Sequence, residues 1–346
     1  QPLLGHLDPE FLRILDETSD RLRAAFRTTN ALTLPISGTG SAGMEACFVN
    51  LVEPGDTVIV GVNGVFGERM CEVARRSGAE VIRVEAAWGE PVDPQALLEA
   101  RTAAPHARLV AVVHAETSTG VRSDIAPLRA LQDTDTLLLV DTVTGLAGIP
   151  VEIDAWGVDA CYSGTQKCLG VPPGLAPVTF SDRALERIRT RTTPPQSWYL
   201  DLGLIGDYVG AARKYHHTAP VAMVVALHAG LGVLLDEGLE ASWARHAAAG
   251  ERLQSELETL GFTLLAREGH RLPQLTTAGL PAGADEAALR RTMLERWGIE
   301  VGGGLGAFAG TAWRFGLMGH NARERSVTTV LGAIRELQAS GEMPGA

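Results

Sequence analysis

The sequence predicts an α/β fold, with a mostly parallel, seven-stranded sheet covered by helices and a smaller α+β region after it. Two observations carry this. Over residues 32–180 short apolar runs alternate with helix-length amphipathic stretches, the pattern of successive βαβ units. Beyond about Asp236 the pattern changes to a long Ala-, Glu- and Arg-rich stretch followed by shorter apolar pieces. A chain of 346 residues is long for a single core, so residues 1–236 are expected to form a large domain and 237–346 a small one.

The strand-like runs are 32–36, 57–62, 80–84, 108–114, 136–140, 160–162 and 177–180. Between them, 44–51, 67–77, 94–103 and 125–131 have helical spacing of apolar residues. The run 221–235 is apolar but too short to span a bilayer comfortably, and it contains His228, so it is expected to be a buried or subunit-interface helix. In the C-terminal part a helix is expected over 239–260, with apolar pieces at 262–265, 274–277, 299–301 and 313–317. Parallel sheets place functional loops at the carboxyl ends of their strands, and candidate chemistry should fall there.

Bulk charge narrows the partners. The formal net charge of −11 repels polyanions, which disfavours nucleic acid and anionic membrane surfaces. It does not disfavour a small anion held by local donors. Cys47, Cys71, Cys161 and Cys168 show no CxxC spacing, and no signal peptide is visible; a reducing, cytoplasmic setting is expected.

The loop Gly38-Thr39-Gly40-Ser41-Ala42-Gly43 fits G-x-G-x-x-G between a strand and a helix. A dinucleotide site also needs an acid closing the next strand, and that strand ends in Gly61-Val62-Asn63-Gly64 without one. What survives is a place for one phosphate, with Thr39, Gly40 and Ser41 at a helix start.

Two further strand ends carry chemistry. Asp141 follows 136–140, and Ser163-Gly164-Thr165-Gln166-Lys167 follows 160–162. About one βαβ half-unit separates Asp141 from Lys167, so neighbouring strands can bring them together. The turn Cys168-Leu169-Gly170-Val171-Pro172-Pro173-Gly174 would hold the lysine in place. A lysine for a Schiff base, a carboxylate for a pyridine nitrogen and donors for a phosphate together suit pyridoxal 5'-phosphate. Each piece has a bland reading as well: a helix cap for Asp141, a solvated cation for Lys167, a salt bridge for Arg314.

The ordered motifs extend the match. They are the 37–45 loop with Met44-Glu45, Glu53-Pro54-Gly55-Asp56, Asn63-Gly64-Val65-Phe66-Gly67, Glu116-Thr117-Ser118-Thr119-Gly120-Val121, Leu138-Leu139-Val140-Asp141 and the Lys167 segment. Tyr215-His216-His217-Thr218, Gly302-Gly303-Gly304-Leu305-Gly306 and Arg314-Phe315-Gly316-Leu317 complete the set. With these the sequence resembles class V aminotransferases of the fold-type I pyridoxal-phosphate superfamily, most closely those of the alanine–glyoxylate (serine–pyruvate) type, over essentially the whole chain.

The resemblance implies that Lys167 forms the Schiff base with pyridoxal phosphate and that Asp141 partners its pyridine nitrogen. It implies phosphate contacts from Thr39, Gly40, Ser41 and Gln166, ring neighbours in Thr117 and Val143, and stacking by Phe66. Tyr215 and Thr218 correspond to residues that reach the neighbouring subunit's phosphate in a homodimer, and Arg314 to the arginine that binds the substrate carboxylate. The implied reaction is a ping-pong transfer of an amino group from alanine or serine to glyoxylate or pyruvate; related enzymes act on pyridoxamine or ureidoglycine.

Two departures stand out. Phe66 occupies a position that is Trp in animal members, which should weaken stacking modestly. The family's Gly- and Pro-rich N-terminal segment, part of the substrate pocket, has no match in this sequence, so some substrate choice is expected from residues outside it. A lyase such as a cysteine desulfurase fits less well, because those enzymes resemble one another in a His before the lysine and a mobile reactive Cys, whereas Gln166 stands here. A non-catalytic relative is disfavoured by the intact Lys167, Asp141 and Arg314. The pair His216-His217 is not expected to bind a metal, since adjacent side chains diverge, and Cys168 is expected to be a buried small side chain rather than a nucleophile.

Overall fold

The computed structural model describes residues 4–210 and 212–345. Its main sheet contains β1 (Leu32–Ser37), β2 (Thr57–Val62), β3 (Glu80–Glu85) and β4 (Leu109–Val113). After a small hairpin of β5 (Ala115–Glu116) and β6 (Val121–Arg122) come β7 (Leu137–Asp141), β8 (Ala160–Tyr162) and β9 (Leu175–Phe180). The order across the sheet is β1-β9-β8-β7-β4-β2-β3. Only β9 runs against its neighbours, antiparallel to β1 and to β8; the remaining pairs are parallel. This is the mostly parallel seven-stranded sheet that the sequence predicts. Strands β2, β4 and β7 are buried along their length, which their unbroken Val, Ile and Leu runs require when helices cover both faces. The edge strand β3 carries Glu80, Arg83 and Glu85 instead.

Helices fill in between. They are α1 (Pro9–Phe26), α2 (Gly40–Leu51), α3 (Val65–Arg76), α4 (Pro94–Ala103), α5 (Ile153–Trp156), α6 (Asp182–Arg189), α7 (Leu202–Val209) and α8 (Val221–Glu237). Local chemistry sets several starts: Asp8, Asp93, Ser181 and Asp201 each accept a backbone N–H of the first turn. The segment expected as a helix over 125–131 is a 3-10 stretch, Ala126–Asp133; a piece this short beside Pro127 takes the tighter winding. Helix α1 is tied to α8 by Arg21, which donates to the His228 carbonyl at 2.6 Å. Helix α8 buries Val224, Leu227, Leu231 and Leu234 and exposes Val233. Among the described residues no single helix is long and apolar enough to cross a membrane.

The C-terminal part is built from α9 (Leu239–Thr259), β10 (Thr263–Leu264), β11 (Leu275–Gly279), α10 (Glu286–Trp297), β12 (Gly302–Gly303), β13 (Ala312–Gly316) and α11 (Glu324–Ala339). Its four strands form an antiparallel sheet, β10-β11-β13-β12. Leu253, Leu257, Phe262, Met293, Trp313, Leu331 and Ile334 make its own apolar cluster. The apolar piece at 299–301 precedes a strand, β12, which starts at Gly302. Ile299 is engaged elsewhere: its N–H caps α10 by donating to the Met293 carbonyl, behind Gly298 in the left-handed conformation.

Candidate active site

Because β1, β2, β4, β7 and β8 all point the same way, the loops after them open on one edge of the sheet. The sequence-derived candidates collect there. Asp141 is the last residue of β7 and is buried. Its Oδ1 accepts the Val143 N–H at 2.7 Å and its Oδ2 accepts the Tyr162 hydroxyl at 2.6 Å. Burial pushes its carboxyl up to about 7, against the pull of those two donors. Tyr162, the last residue of β8, is itself fully buried, and its hydroxyl is pushed well above its ordinary value, so it stays protonated.

Lys167 follows β8 in the turn closed by the Gly170 N–H to the Lys167 carbonyl. It is half-buried and has no ion-pair partner among the described residues. Burial lowers its ammonium pKa, the Arg314 charge lowers it further, and Asp141 pulls the other way. Cys168 beside it is buried with its thiol pushed up to about 12, so it is held as the thiol rather than as a nucleophilic thiolate. Gln166 folds over Gly164 beside Val143, and Val143 in turn lies against Gly40 at the start of α2. Thr39 is the N-cap of α2 but makes no side-chain capping bond; its carbonyl takes the Ala42 N–H, and its hydroxyl with the N–H groups of Gly40 and Ser41 can serve an anion.

Phe66 sits in the first turn of α3, with the Arg69 guanidinium 4.8 Å from its ring centre. Arg69 also reaches Ser41 Oγ at 3.4 Å, linking the expected stacking residue to the expected phosphate loop. Glu116 anchors that turn. Its fully buried carboxylate accepts the N–H groups of Phe66, Gly67 and Ser118 and the Ser118 hydroxyl. Thr117 shares a 2.5 Å hydrogen bond with Thr144, in the turn after Asp141. Arg314, on β13 of the second sheet, donates from Nε to the Gly303 carbonyl at 2.8 Å and reaches the Thr117 carbonyl at 3.5 Å. Sequence reasoning gave no role to Tyr162, Glu116 or Arg69. The only signal was that Tyr162 and Glu116 stand at strand ends and Arg69 three residues after Phe66 on one helix face.

Among the described residues the side chains of Tyr215 and Thr218 make no hydrogen bond to this cluster, although His217 between them meets Ser37, at the end of β1, at 2.8 Å. Tyr215 and Thr218 are exposed on the segment between α7 and α8, where Tyr215 packs on His6 with ring centres 5.4 Å apart. The rings of His216 and His217 pack edge to face, with centres 5.0 Å apart and planes at 87°.

Residues 4–323 match the family model described as aminotransferase class-V. The chain is a class V aminotransferase. It is 39% identical to an alanine–glyoxylate aminotransferase of Drosophila melanogaster, over 99% of this chain and 88% of that protein. Among solved structures it is similar to an alanine–glyoxylate aminotransferase from Nostoc sp., with 46% identity, a TM-score of 0.94 and coverage of 97% of this chain and 89% of that one. It is also similar to a ureidoglycine–glyoxylate aminotransferase from Bacillus subtilis, with 35% identity, a TM-score of 0.97 and coverage of 100% and 89%. This transaminase has the fold-type I architecture and depends on pyridoxal phosphate. Its residues fit that cofactor: a buried carboxylate and a half-buried lysine, each without an ion-pair partner among the described residues, and a helix N-terminus without a side-chain cap stand at one sheet edge.

Proposed function

We propose that this transaminase transfers an amino group from a small amino acid, alanine or serine, to glyoxylate or pyruvate by a ping-pong sequence. One observation carries the reading: β7 and β8 end side by side at Asp141 and Tyr162, just before the Lys167 turn, and Arg314 reaches Thr117, which is bonded to Thr144 in the turn after Asp141, so one amino acid could address all three at once. Pyridoxal phosphate supplies an electrophilic carbon for the amine and a ring that withdraws electrons from the substrate α-carbon. Lys167 Nζ would hold the cofactor and would carry the substrate α-proton; the lowering of its pKa by burial favours the neutral amine this needs. Asp141 holds the proton on the pyridine nitrogen, and Arg314 orients the substrate carboxylate. Thr39, Gly40, Ser41 and Gln166 bind the phosphate, Phe66 stacks on the ring, and Thr117 and Val143 flank it.

Tyr215 and Thr218 complete the phosphate site of the partner subunit in a homodimer, a reading supported by their exposure on a segment that meets the end of β1 through His217 and Ser37. Residues 1–236 form the cofactor domain and 237–346 the smaller one, the division falling at the last turn of α8, just before Gly238. Four free, buried cysteines support a reducing, cytoplasmic setting. A second reading, with ureidoglycine or pyridoxamine as donor, is favoured by the likeness to the ureidoglycine enzyme.

The test is an absorbance spectrum of the holoenzyme. L-alanine should bleach the visible cofactor band and glyoxylate should restore it. A band indifferent to alanine and serine but bleached by ureidoglycine or pyridoxamine would overturn the first reading in favour of the second.

A further inference from the structure

The mechanism above gives Asp141 a task that its surroundings oppose. It sits fully buried at the end of β7, and a carboxylate there stays charged only if donors replace the water it has lost. The charged and titratable groups facing it are Glu116 from β5, Lys167 from the turn after β8, Tyr162 and Cys161 from β8 and Cys47 from α2. Glu116 works against its ionisation and Lys167 favours it more weakly than the direct donors do. Cys47 and Cys161 are buried thiols, each with its pKa raised, and neither donates to Asp141. Two groups hydrogen-bond to the carboxylate: the backbone of Val143 and the hydroxyl of Tyr162.

We propose that Tyr162 is a positioning residue for the transamination, its hydroxyl fixing Asp141 Oδ2 so that the carboxylate, and not the pyridine nitrogen, is the group left without the proton. The geometry is built for this. Tyr162 Oη lies 2.6 Å from Oδ2. The ring cannot swing away, because α2 lies against it: a β-carbon at Gly43 would come within 3.1 Å of Tyr162 Cβ and 2.9 Å of Ala176 Cβ. A carboxylate oxygen has room for two hydrogen bonds, so Oδ1 and Oδ2, with one internal donor each, both keep a place for the pyridine N–H. Without the tyrosine hydroxyl the carboxylate becomes more basic and draws that proton towards itself, and the ring withdraws fewer electrons.

This rests on the reading of Asp141 as the cofactor's nitrogen partner, and the experiment separates the two. Holoenzyme loaded with pyridoxal phosphate carrying a nitrogen-15 ring label is compared by NMR in the wild type, Tyr162→Phe and Asp141→Asn. Tyr162→Phe removes one oxygen and keeps the buried ring. The expected result is a ring-nitrogen shift moved towards the unprotonated form in Tyr162→Phe, with kcat lowered roughly tenfold, the scale of one lost hydrogen bond to a charged group. KM for the amino and oxo acids should stay near wild type, since Arg314 is untouched. An unmoved nitrogen shift in Tyr162→Phe beside a moved one in Asp141→Asn overturns the role of Tyr162 and leaves Asp141 standing. A signal unmoved in both variants overturns the reading of Asp141, and this inference with it. Lowered thermal stability in Tyr162→Phe without a change in the nitrogen shift marks the tyrosine as packing alone and also overturns it.

Discussion

Asp141 illustrates what single residues owe to their surroundings here. Its folded pKa of about 7 stands above the roughly 3.9 of an unfolded aspartate. Between about pH 4 and pH 7 the folded, cofactor-free chain therefore holds a proton that the unfolded chain has lost. Stability in that window falls as pH rises, by on the order of 4 kcal/mol from this one group, and levels off above about pH 7. The expected outcome is a urea midpoint for the cofactor-free protein that drops from pH 5 to pH 8, with a smaller drop in Asp141→Asn. Equal drops in both proteins would contradict it. The position of Asp141 at a strand end was legible in the sequence because it closes the apolar run 136–140, although that run alone left a helix cap open as its role. Its partner Tyr162 was not, because the hydrogen bond joins residues on neighbouring strands, and periodicity reports only which face a side chain takes.

At the scale of elements, the start of α3 is held less by its own capping chemistry than by a carboxylate from another segment. Gly64, its N-cap, has no side chain to offer, and Glu116 supplies the acceptor to Phe66 and Gly67 N–H across from β5. Substituting Glu116→Gln turns one acceptor oxygen into a donor amide facing donors. The expected cost is about 2 kcal/mol of stability, read as a shift of the denaturant midpoint, together with weaker cofactor binding as Phe66 loses its seat. A variant with wild-type stability and affinity would remove Glu116 from this role. The motif around Glu116 was visible in the sequence, but only the fold shows that its side chain turns back to a helix some fifty residues earlier. The same limit explains the C-terminal strands. Apolar pieces were found, yet 299–301 went to cap α10, because a Schellman bond competes locally with strand pairing and composition does not say which wins.

For the whole molecule, the large, mostly parallel sheet followed from alternation, whereas its order of strands needed the fold, and the arrangement of the site across chains rests on where Tyr215 and Thr218 lie. If they serve the neighbouring subunit, two defective chains should complement each other. Mixing Lys167→Ala with a Tyr215→Phe, Thr218→Ala double variant, under conditions where subunits exchange, should regain activity neither shows alone, since one site in each hybrid dimer is then intact. Failure to regain activity, with hybrids demonstrated by native mass spectrometry, would place both residues in their own subunit's function. A last consequence follows from Arg314 standing on β13 of the second sheet while its Nη1 reaches the Thr117 carbonyl beside the first. If Arg314 grips the substrate carboxylate, that carboxylate is pinned between the two sheets. Occupancy, even by a carboxylate that cannot react, should then slow amide exchange on both sides of it, around Thr117 and along β13, which hydrogen–deuterium exchange would read.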